Sequence, residues 1–146
     1  MNLSKHFTYE EFIASNEAVR RGIDNTPAPE ILKNLQHTAV KAEEVRLLLG
    51  HPMSINSGYR CPDLNFAIRG AKNSQHVEGH AIDFISPVFG TPYDVCMKIK
   101  DSGIKFDQLI HEFGQWTHIS FGPMTRMECL TICSPKSGYR RGIFSC

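Results

Sequence analysis

The chain has 146 residues, 41% of them hydrophobic and 21% charged, a balance that suits one globular domain with its own buried core. A formal net charge of +1, with basic residues scattered apart from Tyr139-Arg140-Arg141, leaves no electrostatic footprint for nucleic acid. No segment is long and apolar enough to span a membrane, and the opening MNLSKHFTYEEF lacks the apolar run of a signal peptide, so synthesis in a cytoplasm is expected.

In chain order, Thr8 with Glu11 forms a capping-box pattern before a short helix, and Asn16 to Arg21 read as a further turn or two stopped by Gly22. From Glu30 to Leu49, apolar or small residues at 32, 35, 39, 42, 45 and 49 keep one face, which predicts a long helix ended by Gly50. Residues 53–58 read as a short strand running into a turn. Residues 61–70 read as a helix with Pro62 in its first turn and Gly70 after its end.

A loop then leads to a strand over His80 to Ile85, a helix over Pro92 to Ser102, and two strands joined by a tight loop around Gly114. Residues 128–133 add a possible further strand. The order predicts an α+β domain with helices first and a small antiparallel sheet after, one domain over 1–146. Cys61, Cys96, Cys129, Cys133 and Cys146 are odd in number and form no C-x-x-C pair. Neither a disulfide framework nor a thiolate metal site is expected, and they read mostly as small buried hydrophobes.

The chemistry concentrates in residues 73–84, NSQHVEGHAIDF. His76 and His80 are four apart, as in a helical zinc motif, but Gly79 is a poor helix residue and residues 80–85 alternate as a strand does. The helical pair therefore loses to His76 with Asp83, one ligand in a loop and one on a strand, with Gly79 allowing a sharp turn between them.

His118 is the best third ligand, because it shares a strand face with Trp116 and Ser120 and follows a chain reversal. If residues 113–115 form a hairpin loop, Glu112 faces Trp116 and is the diagonal neighbour of His118, at a Cα separation of roughly 7–8 Å. That gap suits a carboxylate that reaches a metal-held water without ligating the metal. Two His and one Asp leave a fourth position open, as catalytic zinc sites do. Each residue also has an ordinary reading: a satisfied strand histidine, a solvated acid beside a hairpin, a strand aspartate facing water.

SQHVEGHAID matches S-x-H-x-x-G-x-A-x-D, and the chain thereby resembles the M15 zinc peptidases, the D-alanyl-D-alanine carboxypeptidases and L-alanyl-D-glutamate endopeptidases of bacteria and phages. SGYRCPDLN resembles the family's S-G-Y-R segment and EFGQWTHIS its second zinc block. The similarity runs to about Phe121 and leaves 122–146 as a C-terminal extension. The resemblance implies a hedgehog/DD-peptidase-like fold, one Zn2+ held by His76, Asp83 and His118, Glu112 as acid/base, and Arg60 orienting substrate. His80 falls at an unconstrained position.

Many members carry the acid/base three residues before the last ligand His, where this chain has Gln115, so Glu112 takes the role. Ser74 is a candidate substrate contact, with loop ordering as its alternative. The implied partner is a peptidoglycan stem peptide, bound by a monomer, with no nucleic acid and no membrane insertion. A phage-type endolysin acting on the wall after release is the expectation, with a carboxypeptidase second. A non-catalytic zinc-binding recognition domain or phage structural component is the alternative of another class.

Overall fold

The computed structural model describes all 146 residues, as five helices and one six-stranded sheet. Thr8 caps α1 (Tyr9–Ile13) through the expected capping box with Glu11, and α2 (Asn16–Arg21) ends at Gly22. The long helix α3 (Pro29–Leu49) stops at Gly50. Leu35, Ala39, Ala42, Val45 and Leu49 are buried on one face of it, as the periodicity requires.

β1 (Ser54–Ser57) leads to α4 (Pro62–Ala67), which starts on Pro62 as expected. It ends at Ala67, with Gly70 after its end as expected, and Arg69 between them takes the left-handed φ of 59°. Gly70 lies against the Asn65 side chain, which a Cβ there would displace. β2 (Ala81–Ile85), α5 (Pro92–Lys100), β3 (Gln108–Glu112) and β4 (Trp116–Ser120) follow, then β5 (Glu128–Ile132) and β6 (Tyr139–Arg141).

The strand order is β1-β2-β4-β3-β5-β6. The sheet is antiparallel except where β5 runs parallel to β3, an arrangement that the alternating pattern of β5 could not distinguish. Phe113 and Gly114 both take positive φ in the loop between β3 and β4, and Glu112 pairs with Trp116 as the three-residue loop requires.

Pairing puts Asp83, His118, Ile110 and Leu130 in one row across four strands, with Trp116, Glu112, Ile132 and Tyr139 in the next row on the same face. The opposite face carries Ile82, Phe84, Leu109 and Ile119, which join Val95, Cys96 and Ile99 of α5 and the buried face of α3 in one core. One face of the sheet is thus spent on packing. The other is free for polar groups.

Cys61 and Cys96 are buried and free as expected, and Cys129 is half-buried. Cys133 and Cys146 depart from expectation: they form a disulfide between the end of β5 and the last residue. They are 13 positions apart in sequence, a spacing that carries no motif.

Candidate metal centre and active-site cleft

Three donors meet on the polar face. His76 Nε2 lies 3.3 Å from Asp83 Oδ1, and the same oxygen lies 3.0 Å from His118 Nδ1. Tetrahedral zinc with ligands at about 2.0–2.1 Å places its donors about 3.3–3.4 Å apart, close to both spacings to Asp83 Oδ1. All three residues are buried and their donor atoms lie within 4.8 Å of one another.

The loop that carries His76 is held from both sides. His76 Nδ1 bonds the Gly58 carbonyl at 2.7 Å, which fixes the ring and leaves Nε2 to face Asp83. On the α3 side, Asn34 donates to the Glu78 carbonyl and Thr38 to the Gly79 carbonyl, at 2.9 and 2.7 Å. Gly79 takes φ +78°, and a Cβ there would meet Ile31 and Leu35 at 3.2 Å, so glycine lets this loop press on the helix.

Burial holds the His76 imidazole below its ordinary pKa, and therefore neutral, as a ligand must be. Asp83 is also fully buried, but its two imidazole partners outweigh that burial and hold it as a carboxylate. In His118, burial is outweighed by the hydrogen bond from Nδ1 to Asp83, and the ring keeps its proton more tightly than usual. A metal ion held by this group would displace that proton.

Glu112 stands beside the group and outside it. Its Oε1 lies 3.8 Å from His118 Nδ1, while Oε2 accepts the Trp116 indole N–H at 3.0 Å. Burial first, and the Asp83 carboxylate second, push its pKa above the ordinary glutamate value. Gln115 is exposed in the hairpin loop. His111 points to the opposite face, as alternation predicts, where Nδ1 bonds the Phe144 carbonyl at 2.7 Å. His80 stays outside the group and pairs with Glu78 at 3.5 Å.

A cleft of about 610 Å³ opens over these residues. Arg60 enters it half-buried, donating from Nη2 to Ser74 Oγ at 3.0 Å, while its Nε is buried without a partner. Ser74 also accepts from the His76 backbone N–H at 3.2 Å, so it orders the ligand loop and holds Arg60 together.

Three contributors escaped sequence reasoning. The Gly58 carbonyl is one, being backbone with no side-chain signal. Asp107 is the second: buried, it takes Gln75 Nε2 at 2.6 Å and Arg126 Nε at 2.6 Å, and so ties the ligand loop to residues 122–127. The third is the C-terminal segment, which adds Met124, Arg126 and Tyr139 to the cleft wall.

Among known families, the one described as Peptidase M15 matches residues 5–120, most of the chain and every residue of the buried His-Asp-His group. No curated protein matches the sequence.

Proposed function

Because the chain belongs to the M15 peptidases, we propose that it is a zinc endopeptidase that cuts the L-alanyl-D-glutamate bond of peptidoglycan stem peptides. In this reading His76, Asp83 and His118 hold the ion, Glu112 is the acid/base and Arg60 binds a substrate carboxylate. The observation that carries it is the placement of Glu112: a carboxylate 3.8 Å from His118, inside the cleft, yet not one of the three clustered donors.

A bound zinc ion supplies a Lewis acid, which lowers the pKa of a water towards about 7 and polarises a carbonyl. Glu112 takes the proton of the attacking water on Oε1, the oxygen left free by the Trp116 bond. Its raised pKa keeps that proton available for the leaving amine, which Glu112 then protonates. Water and peptide give a carboxylic acid and an amine, with Glu112 returned to its starting state.

Arg60 offers a planar fork of donors whose Nε has no partner in the chain, which suits a carboxylate bound in the cleft. D-Glutamate in a stem peptide carries its free carboxylate on the carbon that bears the scissile nitrogen. The Arg60 fork therefore orients the leaving-group side. Cutting this bond frees the cross-linked part of the stem from the glycan strand, the outcome a phage-type lytic enzyme needs when it reaches the wall on release.

Mass spectrometry of peptidoglycan fragments after digestion tests the proposal. Fragments with a new D-glutamyl amino terminus are expected. Release of D-alanine alone would make the enzyme a carboxypeptidase. Intact peptidoglycan after treatment with folded, zinc-loaded protein would make it a recognition domain.

A further inference from the structure

The matched family region ends at Ser120, but the cleft does not. Residues 121–146 add β5 and β6 to the sheet and bring Tyr139 to the cleft. Tyr139 pairs with Ile132, and Ile132 with Glu112, so the phenol belongs to the row that carries the proposed acid/base.

The segment is firmly held. Thr131 donates its hydroxyl to the Gly142 carbonyl at 2.8 Å and accepts the Phe144 N–H at 3.0 Å. The Arg140 guanidinium lies 4.1 Å from the centre of the Phe144 ring, and the Cys133–Cys146 disulfide closes the end. Tyr139 itself keeps 60% of its surface exposed, a side chain brought to the cleft and left uncovered.

The strand order fixes where Tyr139 stands relative to Arg60. Arg60 follows β1 at one edge of the sheet, the buried donors Asp83 and His118 lie on β2 and β4, Glu112 on β3, and Tyr139 on β6 at the far edge. A substrate crossing the strands with its carboxylate on Arg60 places its leaving-group side at the β1 edge. Its acyl side then runs towards β6.

We propose that Tyr139 is a substrate-binding residue for the acyl side of the scissile bond, packing its ring on the sugar-bearing group that precedes the cut. Resting on the peptidase reading above, it assigns the C-terminal segment the task of selecting what lies upstream of the cut.

Two synthetic substrates test this, identical from the scissile bond onwards: an N-acetylmuramoyl tetrapeptide and the same tetrapeptide with only an acetyl cap. Tyr139→Ala should lower kcat/KM on the muramoyl substrate about tenfold, chiefly through KM, and change the capped one by less than about twofold. Tyr139→Phe keeps the ring and should restore most of the difference, with bound zinc the same in all three proteins. Equal losses on both substrates, or none on either, overturn the inference while leaving the peptidase reading intact. A wild-type protein that cleaves neither substrate overturns the reading and the inference with it.

Discussion

Glu112 and His118 sit on adjacent strands of one hairpin, offset by one row on the same face, with carboxylate and imidazole 3.8 Å apart. In the proposed mechanism the offset separates proton handling from metal binding. Glu112→Gln should therefore retain zinc and fold while losing at least about 100-fold in hydrolysis rate. Gln115→Ala, in the exposed loop, should leave the rate nearly unchanged. A Glu112→Gln protein with near wild-type turnover on muropeptides would move the base to another residue.

The donor set predicts about one zinc per chain. His76→Ala and His118→Ala should each abolish the bound metal by elemental analysis, with circular dichroism confirming that the sheet persists. Full metal retention in either variant would mean that the ion sits elsewhere.

Arg60→Lys keeps the positive charge but loses the two-pronged geometry. A fall of about tenfold in kcat/KM on muropeptides is expected, with metal content constant. Unchanged kinetics would leave Arg60 as a brace for Ser74 and nothing more.

Asp107 gives a pH signature. Burial pushes its pKa up, but the hydrogen bonds from Arg126 and Gln75 outweigh burial and hold the folded value below the ordinary one. A depressed folded pKa means that the carboxylate stabilises the fold above the unfolded pKa of about 4, and that this contribution fades as pH falls through the folded value. Asp107→Asn should lower Tm clearly at pH 7 and progressively less below about pH 4. A constant difference across that range would show that the charge is not what stabilises.

At Gly79 the test is steric. Alanine there must adopt φ +78° with its Cβ 3.2 Å from Ile31 and Leu35, so Gly79→Ala should cost about 1–3 kcal/mol in chemical denaturation and weaken zinc retention by shifting His76. A fully stable variant with normal zinc would show that the loop can back away from α3 without moving the ligand.

The parts legible in the sequence were those with a local rule. The α3 face follows from its 3.6-residue period, and the Glu112–Trp116 pairing follows from the length of the loop between them. The spacing of His76 and Asp83 pointed to a loop residue and a strand residue that the fold does bring together, and alternation turns His111 to the opposite face. What stayed hidden depends on distance in sequence. The Gly58 carbonyl behind His76 is anonymous backbone, and the direction of β5 is not encoded in alternation. Tyr139 belongs to a three-residue exposed strand whose neighbours read only as a small basic cluster. Cys133 and Cys146 meet only because the chain after β6 turns back along β5.

Because β3 lies between β4 and β5 in the sheet, the chain leaving β4 cannot turn straight back into a hairpin. It passes over the start of β3 through residues 121–127, where Asp107 anchors it and Pro123, Met124 and Arg126 face the cleft. Strand register is set on either side of this crossing, so its length is a nearly independent variable, and lengthening a surface loop adds little closure entropy. Lengthening this crossing would reshape the cleft wall while β2, β3 and β4 stay in register.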